Sequence, residues 1–208
     1  MRVQTETEEH LNSITHAIGA ALGIAGLVLM LLFYKTSAPF SLFSIIIYGI
    51  SIIVLFLAST FYHAVRKKSI KHYLRIVDHM SIYFLIAGTY TPVLLLMLSE
   101  SRGWPLFWTV WGVAAVGIII KLFFTGRFEL FSTLLYLVMG WLIIFDFSEL
   151  IERMPSQGLI FLIAGGLSYT LGIVFYVFER IPYNHVIWHL FVLGGAICHF
   201  FMIFLFVI

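Results

Sequence analysis

"HVIWHLFVLGGAICHFFMIFLFVI", His185 to Ile208, decides the kind of fold this chain adopts. It runs for 24 residues without an Asp, Glu, Lys or Arg. Roughly 20 apolar residues are enough to cross the hydrocarbon core of a bilayer as a helix. Lipid offers the backbone no hydrogen-bond partners, so only a helix satisfies such a stretch there. Yet it opens with His185 and His189, one helical turn apart, and holds His199 further on. Imidazoles inside a span need polar partners, and those must come from other segments.

Six more apolar segments precede it, so that seven spans are expected at approximately 13–35, 40–64, 76–98, 104–125, 129–147, 158–178 and 185–208. Of the 208 residues, 62% are hydrophobic and 11% charged, against roughly 25% charged in a soluble domain. The expectation is an all-α, seven-transmembrane helix bundle forming one integral membrane domain over residues 1–208, a multi-pass protein of the cell membrane. Links between spans are short, which makes consecutive helices antiparallel neighbours. The net charge of +2 gives no electrostatic support to a nucleic-acid role. The single cysteine, Cys198, excludes an internal disulfide. The start, "MRVQTETEEH", lacks the basic and apolar regions of a signal peptide, so the first span is expected to direct insertion.

Basic residues orient the bundle. With the N-terminus cytoplasmic and the C-terminus outside, the inner links hold Arg2, Arg66, Lys67, Lys68, Lys71, Arg75, Lys121, Arg127 and Arg180. The outer links hold only Lys35, Arg102 and Arg153, a bias of nine to three. On this topology Ser59 and His63 end span 2 at the level where span 3 begins with Asp78 and His79. His185 and His189 begin span 7 at the same level. Residues at i and i+4 share a helix face, with Cβ atoms about 5–6 Å apart. His185 and His189 can therefore bind one metal ion, with His63 as the third ligand. Three histidines leave a fourth position open, the pattern of a catalytic zinc site. Zinc brings the pKa of bound water to about 7. Asp78 is expected to hold or deprotonate that water, and Ser59 to support Asp78 or an oxyanion. Asp78 also suits a helix N-cap, and Ser59 a bond to its own helix backbone.

Other polar residues read differently. His79 points about 100° away from Asp78 and is expected to pack or face headgroups. His10 and His72 lie in polar stretches and read as solvated. His16 borders the site without serving as a ligand. His199 lies about 15 Å deeper than His189 on the same face, too far to share an ion, and reads as a buried hydrogen-bonding group. Pro92 is expected to kink span 3. Gly19 and Gly23 fit close packing within the chain. Trp104, Trp108 and Trp111 read as an interfacial belt, and Asp146, Glu149 and Glu152 as a solvated acidic patch.

The S-x3-H of Ser59 and His63, the pair Asp78-His79, and the H-x3-H of His185 and His189 followed by His199 resemble the haemolysin III proteins. "EEHLNSITHAIG" resembles that family's opening motif. These proteins are bacterial relatives of the progestin and adiponectin receptor family, in a superfamily with the alkaline ceramidases. The resemblance implies seven helices, a cytoplasmic N-terminus, zinc on His63, His185 and His189, and Asp78 contacting zinc-bound water. Ceramidase relatives hydrolyse sphingolipid amides, the receptor branch is tied to lipid signalling, and the bacterial branch carries a cytolysin name and links to lipid homeostasis. The long polar N-terminal region of the receptor branch is missing, so hormone binding does not carry over.

The leading expectation is a zinc-dependent hydrolase of a lipid amide or ester, with a membrane lipid as substrate or ligand. A non-enzymatic regulator or sensor of membrane lipid state with structural zinc is the alternative. A pore-forming cytolysin is the third, against which no span carries the charged stripe of a water-filled channel.

Overall fold

Helices arise here because the segments are apolar and lipid leaves the backbone to satisfy itself. The computed structural model describes residues 4–208; Arg2, used in the orientation argument, lies outside them. The helices are α1 (Glu6–Phe33), α2 (Ser41–Ala64), α3 (Lys68–Pro92), α4 (Gly103–Phe124), α5 (Glu129–Gly140), α6 (Phe147–Arg153), α7 (Ser156–Val177) and α8 (Asn184–Phe206). A π-helical turn, Val93–Met97, extends α3, and a 3-10 turn, Leu142–Asp146, joins α5 to α6. Seven segments are long and apolar enough to cross a membrane, with α5, the 3-10 turn and α6 acting as one.

Two spans begin earlier than their hydropathy. The first starts at Glu6 rather than residue 13, because Thr5 and Glu8 form a capping box: the Glu8 amide donates to Thr5 Oγ1 at 3.2 Å and the Thr5 amide to Glu8 Oε2 at 2.9 Å. The third starts at Lys68 rather than residue 76; helix propensity does not require apolar side chains. The fifth continues past residue 147, so much of the link "SELIERMPSQ" is helical. Asp78 is therefore inside α3 and is not an N-cap.

The bundle is inverted relative to a soluble protein. The buried stripe of α1 is Glu8, Asn12, His16, Gly19, Ala20, Gly23, Gly26 and Met30, while Ile14, Ile18, Leu22 and Leu32 face outward. Gly19 and Gly23 do pack within the chain: a Cβ on Gly19 would lie 2.5 Å from Phe56 of α2. The irregularity expected at Pro92 takes the form of the π turn, where the Leu98 amide reaches Val93 O at 3.2 Å.

Two readings are corrected by tertiary packing, and a third is decided between its alternatives. Trp108 is 67% exposed, but Trp104 packs on Phe40 and Trp111 Nε1 donates to Thr91 Oγ1 at 3.2 Å, so only one of the three tryptophans faces fully outward. Asp146 is buried rather than solvated, because its carboxylate accepts from Ser101 Oγ and from the Arg102 amide just ahead of α4. Of the two expectations for His79 the structure shows packing: it is buried, beside a charge network described below.

Candidate metal centre and membrane cavity

The start of α8 is fixed before its histidines appear. Tyr183 takes a left-handed turn (φ 56°), its amide donates to Glu8 Oε1 at 3.2 Å, and Asn184 Nδ2 donates to Phe175 O at 2.9 Å. From there the helix carries His185 and His189 on one face, with ring centroids 4.7 Å apart. The end of α2 brings His63 to them, at 5.2 Å from His185 and 4.9 Å from His189. Each ring offers a nitrogen, and the three lie within 4.8 Å of one another. A tetrahedral ion at Zn–N distances near 2.0–2.1 Å needs nitrogens about 3.4 Å apart, a closure that small side-chain rotations provide.

The hydrogen bonds behind the rings suit such an ion. His63 Nδ1 donates to Glu9 Oε2 at 2.7 Å, which leaves Nε2 as a lone pair, buried and without a partner. His189 Nδ1 donates to Asn12 O at 3.3 Å, which places the lone pair of that ring on Nε2. A carboxylate or carbonyl on the far nitrogen is the usual arrangement behind a metal-bound histidine. Lys71 Nζ holds the other Glu9 oxygen at 2.8 Å. The donor set and the orphaned lone pair thus fit a zinc ion.

Asp78 is buried on α3, and Ser59, one turn before His63 on α2, is buried and lines the same space as Asp78. His16 is stacked on His189, with centroids 3.6 Å apart and planes at 9°. His79 faces the other way: its Nδ1 lies 3.6 Å from Glu129 Oε2, which also takes Lys121 Nζ at 2.6 Å, while Arg75 Nη2 donates to Glu129 Oε1 at 3.1 Å.

The histidines border two spaces. One is a largely apolar slot of about 140 Å³, lined by Ser59, Asp78 and His185 at one end and by Tyr90, Trp141 and His199 at the other. From Asp78 to Tyr90 it follows twelve residues of α3, about 18 Å at 1.5 Å per residue. Its wall between α5 and α7 is thin. Gly140 and Gly166 line it with open space where a Cβ would stand, and Trp141, 44% exposed, donates to Thr170 Oγ1 at 3.2 Å across the gap. The slot therefore reaches the outer surface of the bundle at that seam. The second space, about 240 Å³, is a polar vestibule lined by Glu9, His63, Lys71, Arg75 and Glu179; His79, Tyr176 and His185 line both and separate the two. His199 lines the slot and its Nε2 meets Leu162 O at 3.3 Å.

The residues singled out by spacing, His63, His185, His189, Asp78 and Ser59, come together at one end of the bundle. Absent from the sequence reading are Glu8, Glu9 and Asn12 of α1 and the group around Glu129.

Fold and site define a seven-helix membrane protein with a buried cluster of three histidines able to hold a metal ion. The chain belongs to the haemolysin III family: the family model "Haemolysin-III related" matches residues 4–200. It is 43% identical to "Hemolysin-3" of Bacillus cereus over 97% of this chain and 92% of that protein. It is 44% identical to "Hemolysin-3 homolog" of Bacillus subtilis (strain 168) over 96% of this chain and 94% of that protein. It is also similar to the human "Monocyte to macrophage differentiation factor", at 36% identity over 76% of this chain and 67% of the relative. The apolar helices and the bacterial relatives make it a multi-pass protein of the cell membrane.

Proposed function

We propose that the protein is a zinc-dependent hydrolase of a lipid amide or ester, with the histidine end of the bundle at the cytoplasmic face. The observation that carries this reading is the junction of a three-histidine cluster, the buried Asp78 and Ser59, and an apolar slot that reaches the lipid-facing seam between α5 and α7. Zinc on His63, His185 and His189 supplies Lewis-acid polarisation of a carbonyl and an acidified water. His16 leaves the fourth position open. Its ring is stacked on His189 with the planes nearly parallel, so the in-plane lone pairs of the two rings lie in separate parallel planes and do not converge on one ion. Asp78 accepts the proton of the attacking water and returns it to the leaving group. Ser59 keeps the carboxylate turned toward that water. The slot holds the acyl chain and excludes bulk water from the reacting carbonyl. The nine-to-three bias of basic residues supports the orientation.

The test is turnover of lipid amides and esters by zinc-loaded protein in vesicles. The expected result is hydrolysis that Asp78→Asn lowers by about 100-fold or more with zinc content unchanged. Inert wild-type protein across a broad panel would leave the alternative, a lipid-state regulator in which zinc clamps α2 to α8; the Glu9 link from α1 to His63 and Lys71 suits that role as well. The haemolytic name of the bacterial relatives points to pore formation; the buried charges Glu8, Asp78 and Lys121 lie at one end and Asp146 at the other, with no stripe along a span, which argues against it.

A further inference from the structure

His16 is the one histidine of the inner cluster to which neither ligation nor an internal hydrogen bond gives a role. It lies on the inward stripe of α1 with Glu8 and Asn12 and is 3% exposed. Neither ring nitrogen has a hydrogen-bond partner of ordinary length. Buried polar side chains nearly always have one. One face is stacked on His189 at 3.6 Å, and Phe56 packs against the ring at 4.9 Å with its plane nearly perpendicular. The nitrogens lie on the ring edge, where a polar partner would meet them. The ring lines the apolar slot together with Leu55, Ser59 and Asp78. A neutral imidazole offers one N–H donor and one lone pair. A group that enters the slot as far as Asp78 reaches the level of this ring.

We propose that His16 is a substrate-contacting residue whose ring N–H donates a hydrogen bond to the carbonyl oxygen of a lipid chain seated in the slot. The inference rests on the reading of the slot as a lipid site. It makes α1 part of the binding site, with the stack on His189 fixing the ring so that its edge, and not its face, meets the ligand.

Long-chain probes without a scissile bond separate this contact from chemistry: a methyl ketone, a primary alcohol and an alkane of equal length, each competing with a fluorescent fatty acid on zinc-loaded protein. His16→Phe keeps both ring contacts and removes the nitrogens. The expected result is a loss of about three- to ten-fold in ketone affinity, unchanged alkane affinity, unchanged zinc content and an equal or higher unfolding temperature. His16→Gln, which retains a donor, should restore part of the ketone affinity. Unchanged ketone binding in His16→Phe overturns the proposal while the lipid slot survives. A loss confined to the alcohol overturns it too, since the ring then acts as an acceptor. Loss of zinc overturns it by placing His16 in the shell of the ion. If wild-type protein binds no chain at all, the lipid reading of the slot fails first and the contact fails with it.

Discussion

Glu9 and Glu129 each gather a histidine and a lysine at the same end of the bundle, and the difference between the two networks separates what binds from what braces. Glu9 holds His63 Nδ1 at 2.7 Å and Lys71 Nζ at 2.8 Å, and the other nitrogen of His63 looks at His185 and His189. Glu129 holds Lys121 Nζ at 2.6 Å and Arg75 Nη2 at 3.1 Å, with His79 Nδ1 farther away at 3.6 Å. In the first network the strong contact is to a histidine that has a free, buried lone pair. In the second it is to a lysine with no exposed surface. The first therefore orients a candidate ligand, whereas the second neutralises a buried cation and ties α3 and α4 to the start of α5. The same three residue types serve two purposes because burial falls on different members.

The sharpest way to break the comparison is to remove a donor from the first network. His63→Ala leaves two histidines for the ion, and affinity for zinc should fall by more than about 100-fold, beyond the loss expected from removing a supporting residue. Elemental analysis per mole of purified protein reads it; unchanged zinc would end the assignment of His63 as a ligand. His185→Ala should behave alike.

Next in size is the brace. Glu129→Ala strands Lys121 inside the bundle, and an uncompensated buried charge costs about 3–5 kcal/mol. Thermal unfolding in detergent should show a large drop. Zinc affinity in the protein that remains folded should change little, because no triad histidine touches Glu129 among the described contacts. A variant that unfolds normally but loses zinc would merge the two networks into one.

Glu9→Gln probes the first network more gently. Glutamine still accepts from His63 but carries no charge to raise the basicity of the ring. Removing such support typically costs 10–100-fold in metal affinity, and with an acceptor kept the expected loss is about ten-fold. Chelator competition measures it, and the unfolding temperature of the zinc-free protein should move little.

How much of this was legible in the sequence follows from what kind of signal each residue carries. The three histidines could be read because two local periods, H-x3-H and S-x3-H, fix a helix face and span direction fixes the depth at which each face is presented. Glu8, Glu9 and Asn12 were hidden by hydropathy, which starts the first span near residue 13. The capping-box pattern of Thr5 and Glu8 carries the signal that moves the helix start back to Glu6. The four-residue spacing of Glu8, Asn12 and His16 then puts all three on one face. Glu129 and Lys121 meet across the turn between α4 and α5, where no period links them. Asp146 is buried through a 3-10 turn that apolar composition does not distinguish from an α-helical one. His79 was placed correctly away from Asp78, but the identity of its partner depends on which helix packs beside α3.

The smallest effect belongs to Lys71, and it tests whether the first network binds or braces. Lys71 and Glu9 keep 25% and 24% of their side chains exposed, so their ion pair sits in a partly hydrated vestibule. Pairs of that kind contribute about 0–1 kcal/mol. Lys71→Met should therefore leave the unfolding temperature within error. Losing the ammonium frees the Glu9 carboxylate to concentrate its charge on His63, so zinc affinity should hold or rise slightly, about two-fold at most given that energy. Chelator competition and thermal unfolding on the same preparation read both quantities. A large drop in stability would show that Lys71 braces as Lys121 does, and the distinction between the two carboxylates would then rest on geometry alone.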